Sequence, residues 1–190
     1  DKKVVISRNT IQPMATVEHE GSLAPIPNNQ IWYTCATKVA FPNTVGEYFG
    51  AELISHEWDS TTGKGVMIFD GDVTAIGGMI FYGDDITEIH IPKTVTKIGY
   101  QAFGYCSEIQ RVYIYDLEQW CNIDIADPSG SPAYHGDVYL NGELLTEITI
   151  PDSITKIKNN TFCGWKSLNN VYMHDNVTEI GTYGFAFCSF

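Results

Sequence analysis

The residues best suited to covalent or metal chemistry in this chain are five cysteines (Cys35, Cys106, Cys121, Cys163, Cys188) and five histidines (His19, His56, His90, His135, His174). Thiolates attack carbonyls and bind zinc; imidazoles move protons or ligate metals. Each chemistry demands a spacing, and the required spacings are missing. No cysteines form a CxxC pair, so zinc ribbons and thioredoxin-like motifs are unsupported. No HExxH occurs and no two histidines stand four apart. Cys121 and His135 can be drawn as nucleophile and base, but their separation matches no established mechanics. "DIADPSG" has the wrong ligand spacing for a calcium loop, and "DGD" (70–72) reads as a turn. With no Gly-rich phosphate loop and no GxSxG, the sequence offers no catalytic residues, metal ligands or cofactor site, and reads as a non-enzyme.

Bulk properties narrow the partners. The chain has 190 residues, 44% of them hydrophobic, and a net charge of −12. Such acidity argues against nucleic acid, whose phosphates need a basic face, and against docking on anionic lipid. No apolar run approaches the roughly 18 residues of a membrane span, so membrane insertion is not expected. The opening "DKKVVISRN" holds no apolar stretch long enough for a signal peptide. It is compatible with a cytosolic chain or with a leader removed before residue 1.

The stronger signal is positional. The pattern [VI]-T-x-I-x4-F recurs as "VTAIGGMIF" (73–81), "VTKIGYQAF" (95–103), "ITKIKNNTF" (154–162) and "VTEIGTYGF" (177–185). Between these lie "ITEIHIP" (86–92), "IQRVYI" (109–114), "LTEITIP" (145–151) and "LNNVYM" (168–173). Phe81 precedes Phe103 by 22 residues and Phe162 precedes Phe185 by 23. One interval, Ile114 to Ile150, carries an excess of 13 residues, which falls in the Pro/Gly/Ser-rich "DIADPSGSPAYHGD". Before it, a degenerate turn begins at Leu117, with Trp120 filling a core slot. After it, "VYLNGELLTEI" places Asn-Gly between apolar runs, a strong hairpin signal. A unit repeating at this period cannot bury its apolar face alone and stacks on its neighbours.

Alternation within "TEIHI" predicts strands with Ile89 and Ile91 inward. Stacking the repeats then predicts a parallel sheet rising about 4.8 Å per turn, in a solenoid of about five 22–23-residue turns, one enlarged. By class this is α/β but β-rich, because so short a repeat cannot hold a strand and a full helix. Short strands, turns and single helical turns carry the coil. The Lxx-LxL skeleton is the leucine-rich-repeat pattern. Its polar slot after the strand, which bonds the backbone, holds Thr94, Ser153 and Asn176, but Leu117 in the degenerate turn. In this register Cys106 and Cys188 lie three turns apart, roughly 14 Å at strand spacing, beyond the roughly 7 Å a disulfide spans. Cys163 is out of register with Cys188, and all three read as buried free thiols.

The combination I-x-I-P-x-[ST]-[VI]-T-x-I-G-x-x-A-F-x-x-C, met almost slot for slot by "IPKTVTKIGYQAFGYCSEI" (91–109), resembles the BspA-like leucine-rich repeats of Bacteroidetes and some other microbes. The resemblance covers roughly residues 64–190 and departs at Asp84 and Trp165, where Cys is usual, and at Lys158, where Gly is usual. It implies a secreted or cell-surface recognition and adhesion module for a protein or glycan of a host or neighbouring cell. It also implies that "DST" (59–61) matches a glycosylation sequon of exported Bacteroidetes proteins, with Ser60 as acceptor. A passive spacer or assembly module, and an accessory to glycan-degrading machinery, are the alternatives.

Residues 1–29, polar and Pro-bearing, read as a linker or extended segment. In 30–72, "IWYTC", "KVAF", "AELISHEW" and "KGVMIF" read as the short strands of an N-terminal cap over a solenoid spanning 73–190. Strand alternation turns Glu88, His90, Arg111, Tyr113, Glu147, Thr149, Asn170 and Tyr172 outward as a partner-binding face, with His90, Tyr113, Thr149 and Tyr172 in one column. "LNNVYM" is expected to form an open parallel edge, through which a weak homodimer would bury Phe187 and Phe190.

Overall fold

The structure, a computed structural model, describes residues 4–7, 24–37 and 46–189. In chain order the elements are β1 (Val4–Ser7), β2 (Gln30–Cys35), α1 (Gly46–Phe49), β3 (Leu53–Trp58), β4 (Lys64–Phe69), β5 (Ala75–Ile76), β6 (Ile86–His90), β7 (Lys97–Ile98) and β8 (Arg111–Ile114). There follow α2 (Leu117–Cys121), β9 (Asp124–Ile125), 3-10 turns at Pro128–Gly130 and Pro132–Tyr134, β10 (Asp137–Leu140), β11 (Glu143–Leu144), β12 (Glu147–Thr149), β13 (Lys156–Ile157), β14 (Asn170–Met173) and β15 (Glu179–Ile180). The "KVAF" segment expected as a strand lies at 38–41, outside the described residues.

Two strand stacks run along the repeats. On one side, β6, β8 and β10 pair in parallel and continue through β2, β4 and β3 into a seven-stranded sheet. On the other, two-residue strands pair in parallel as β5-β7-β9 and, separately, as β13-β15. Alternation decides what faces inward: Ile89, Val112 and Val138 are fully buried in register, as the period-two pattern requires.

The corners joining the stacks repeat their backbone bonds. Met79, Phe81 and Gly83 donate N–H to Tyr100, Ala102 and Gly104; Asn160, Phe162 and Gly164 donate to Thr182, Gly184 and Ala186. Each corner bends through two left-handed residues: Met79 and Gly83, Gln101 and Tyr105, Asn160 and Gly164, Tyr183 and Phe187. Non-glycine residues there pay about 1–2 kcal/mol against steric preference, which the inter-turn bonds offset.

Inside the coil the aromatic rings stack. Phe81 lies 5.0 Å from Phe103, and Phe162 lies 5.0 Å from Phe185, both face to face. Across the enlarged interval Trp120 and Trp165 fill the core 5.7 Å apart, and the Trp120 indole donates to the Thr161 carbonyl at 2.8 Å. At the other end Phe49 and Phe69 continue the column from Phe81.

The structure departs from the sequence-based expectations at several points. The parallel sheet is not continuous: Asn141 and Gly142, at φ of 52° and 92°, fold β10 back onto β11, which takes the edge that β12 would have used. The column therefore runs His90, Tyr113, Tyr139, while Thr149 pairs with Tyr172 in a different sheet. The edge of β14 is not open, because β1 pairs with it antiparallel, Val5 opposite Tyr172. Finally, Ser153 donates to the Glu118 carboxylate at 2.6 Å rather than to backbone, whereas Thr94 does reach the Val73 carbonyl at 2.8 Å. Ile26, in the stretch read as linker, is 4% exposed and packs with Tyr113, Tyr115 and Tyr139.

Candidate recognition face

Gln30, Trp32 and Thr34 alternate with buried Ile31, Tyr33 and Cys35, which points the first three outward from β2. Pairing then sets two rows side by side across the sheet. One row reads Val66, Trp32, His90, Tyr113, Tyr139, Leu144; the other reads Lys64, Thr34, Glu88, Arg111, Asp137. The first is an aromatic ladder and the second a charged one. Between them, over β4, β2 and β6, opens a cleft of about 360 Å³ floored by Trp32, Thr34, Val66, Glu88 and His90.

The ladder is held by ring contacts and hydrogen bonds. His90 stacks on Tyr113 at 4.3 Å and meets Trp32 at 5.9 Å; Tyr113 contacts Tyr139 at 5.3 Å. The His90 Nδ1 and the Tyr115 hydroxyl are hydrogen-bonded at 2.6 Å. Burial lowers the His90 pKa to about 4, so the imidazole is neutral at physiological pH. Burial also pushes the Tyr113 hydroxyl up to about 12. The Trp32 indole donates to Gln30 at 2.7 Å, which fixes a ring that stays 39% exposed. Arg111 pairs with Glu88, and burial raises the Asp137 carboxyl.

Of the eight residues expected on the binding face, Glu88, His90, Arg111 and Tyr113 come together here. Tyr113 is only 2% exposed, because its neighbours and Ile26 cover it; it supports the face rather than presenting a surface. Glu147, Thr149, Asn170 and Tyr172 lie on the separate sheet of β12 and β14, the first two exposed and the others half-buried. Sequence reasoning missed Trp32, Tyr115 and Tyr139. The signal for Tyr139 was present: "VYI" (112–114), "VYL" (138–140) and "VYM" (171–173) are one tripeptide repeated.

Ser60 is exposed in the β3–β4 connection, where Asp59 accepts bonds from Thr61 and Thr62. All five cysteines are free, four buried and Cys188 half-buried. Burial raises each thiol, to about 12 for Cys106 and Cys121 and about 11 for Cys163 and Cys188. Nucleophilic thiols are shifted the other way. Cys106 and Cys188, in equivalent slots, donate to the carbonyls of Phe81 and Phe162 one turn back, at 2.8 and 3.1 Å. These cysteines tie turns together. No described helix is long and apolar enough to cross a membrane.

Stacked parallel strands, apolar inward positions and corners bonded turn to turn define a leucine-rich-repeat protein. The BspA type leucine rich repeat region model matches six copies over residues 64–122 and 136–190, and the chain belongs to that family. Proteins built from such repeats serve mainly in recognition. Among solved structures, a leucine rich cell surface protein from Faecalibacterium prausnitzii is 24% identical, with a TM-score of 0.42. The likeness covers 70% of this chain and 37% of that one. No curated protein matches.

Proposed function

We propose that this chain is a non-enzymatic recognition module of an extracellular or cell-surface protein, binding a protein or glycan of a host or neighbouring cell. The observation that carries this reading is the in-register ladder Trp32–His90–Tyr113–Tyr139 beside the Glu88–Arg111 pair. Aromatic and Arg side chains dominate binding energy where they sit in packed, partly dry surroundings. A neutral imidazole and an anchored indole give a rigid platform with little entropy to lose on binding. The patch of Glu147, Thr149, Asn170 and Tyr172 is a secondary contact. The strands of 30–72 serve as the cap of a solenoid of about five turns, Ser60 is the glycosylation candidate, and weak pairing between copies would use the exposed Phe187.

The test is adhesion of beads coated with the protein to cultured epithelial cells, either untreated, periodate-oxidised or protease-stripped. Trp32→Ala and Tyr139→Ala, shown folded by circular dichroism, should lower adhesion about tenfold or more, the loss of one interface anchor. Asp152→Ala, an exposed position after β12 and outside the sheet that carries the ladder, should leave it unchanged. Periodate sensitivity assigns a glycan, protease sensitivity a protein. Equal adhesion by all variants would leave the spacer reading.

A further inference from the structure

The second strand stack stops and restarts, and the break is shaped. Its in-register pairs read Ala75-Ile76, Lys97-Ile98, Asp124-Ile125, then an interruption, then Lys156-Ile157 and Glu179-Ile180. Within each run the rungs are regular. Asp124 and Ala126 donate N–H to the carbonyls of Thr96 and Ile98; Thr178 and Gly181 donate to those of Thr155 and Ile157. Among the described residues no strand pairing joins β9 to β13, and a cleft of about 570 Å³ opens there, within the range of ligand sites.

The two sides of the cleft carry complementary backbone groups. On β9 the carbonyls equivalent to Thr96 and Ile98 belong to Ile123 and Ile125. Facing them, the N–H groups equivalent to Thr178 and Gly181 belong to Thr155 and Lys158. Among the described residues the Ile123 carbonyl and both N–H groups have no backbone partner. The Ile125 carbonyl is met instead by a side chain, the Asn160 amide at 2.9 Å. Asn160 is 5% exposed, and its own Oδ1 is buried without a hydrogen-bond partner among the described residues. One side-chain amide thus stands where a strand's N–H would be and leaves a buried acceptor unmet.

The cleft is also basic, in a chain of net charge −12. Lys97, Lys156 and Lys158 line it. Lys158 bridges the Asn122 carbonyl and the Asp124 carboxylate, both at 2.7 Å, and Lys156 pairs with the exposed Glu179. Lys97 makes no ion pair among the described residues.

We propose that the cleft between β9 and β13 is a strand-acceptor site for an extended peptide of alternating acidic and apolar residues, added parallel to β9. Its N–H meets the Ile123 carbonyl, and its carbonyls accept from Thr155 and Lys158. Its apolar residue packs on the cleft wall formed by Ile125 and Ala126, and its carboxylate lies among the lysines. Main-chain pairing supplies affinity and alternate side chains supply selectivity.

The probe is a fluorescein-labelled peptide Val-Thr-Glu-Ile-Gly, with a Gln-for-Glu counterpart and a third version N-methylated along its backbone. Anisotropy measures binding, and amide shifts in ¹⁵N-labelled protein locate it. The parent peptide should saturate by low millimolar concentration and shift the Thr155 and Lys158 amides. The Gln peptide, and Lys97→Gln or Lys156→Gln protein, should bind up to about fivefold more weakly, the size of an exposed ion pair. The N-methylated peptide should not bind, and Trp32→Ala should bind normally. Absence of saturation, shifts that bypass Thr155 and Lys158, or equal binding of the N-methylated peptide would overturn the proposal. So would concentration-dependent sedimentation abolished by Ile180→Asp, which would assign the cleft to β15 of a second copy.

Discussion

His90 offers a direct measurement of how dry the aromatic ladder is. Its folded pKa of about 4 lies below the ordinary 6.5 because burial between Trp32, Tyr113 and the Tyr115 hydroxyl disfavours the imidazolium. The unfolded chain therefore binds this proton more tightly, and stability falls as pH drops through 6.5 toward 4. At 1.36 kcal/mol per pKa unit, the loss between pH 7 and pH 5 is about 2 kcal/mol, approaching about 3 kcal/mol below pH 4. Other groups titrate in the same window: burial lowers His135, acting in the same direction, while raised Asp84 and Asp137 oppose it. His90→Gln cancels those terms, since glutamine keeps a polar group near Tyr115 and cannot titrate. Urea unfolding of both proteins at pH 7 and pH 5 supplies the comparison. The wild type should lose about 2 kcal/mol more than His90→Gln. Equal losses would mean that the ring is solvated and that the platform argument fails.

Three other outcomes check other parts of the molecule. Phe103→Ala removes a ring that is 0% exposed and stacked on Phe81, and should cost about 3–5 kcal/mol in urea unfolding. A loss well under 1 kcal/mol would show that the phenylalanine column is not the core. Cys35, Cys106, Cys121 and Cys163 should resist iodoacetamide in the native protein and all be alkylated after denaturation, with mass spectrometry finding no bridge between them. Asp84, its pKa raised to about 6 by burial and by Asp85, is costly when ionised. Asp84→Asn should therefore raise the melting temperature at pH 7.5, and the gain should vanish by pH 4.

How much of this was legible in the sequence depends on which contacts are local. The strands β6, β8 and β14 follow from period-two alternation, and the phenylalanine stacks follow from a spacing held at 22 and 23 residues. The corners were less readable. Their left-handed positions hold Met79, Gln101, Tyr105, Asn160, Tyr183 and Phe187 beside only two glycines, Gly83 and Gly164. The usual glycine signal for positive φ is thus mostly absent, because rungs to the next turn hold the backbone there. β1 on the edge of β14 was illegible for another reason: it pairs residues 4–7 with 170–173, a contact no periodicity reports.

The proposed recognition face was half legible, and the reason is one turn. Counting the repeat by its excess of 13 residues aligned Ile114 with Ile150 and so placed Thr149 after Tyr113. The tripeptide count, Val-Tyr followed by an aliphatic residue, places Tyr139 there instead, and the structure follows it. Both alignments satisfy inward-outward alternation, so hydrophobic pattern alone cannot choose between them. The choice falls to Asn141-Gly142. A two-residue turn with both φ positive matches the twist of an antiparallel hairpin, so β10 pairs with β8 and its outer edge goes to β11. That same fold-back divides the sheet on one side and accompanies the break between β9 and β13 on the other. The insertion that interrupts the repeat thus completes the aromatic ladder with Tyr139 and coincides with two strand edges, around Lys97, Lys156 and Lys158, that have no strand partner among the described residues. Replacing residues 126–148 by a regular turn should extend both stacks and remove both features together, so the proposed recognition face and the proposed strand-acceptor cleft both depend on the irregular turn rather than on the regular repeats.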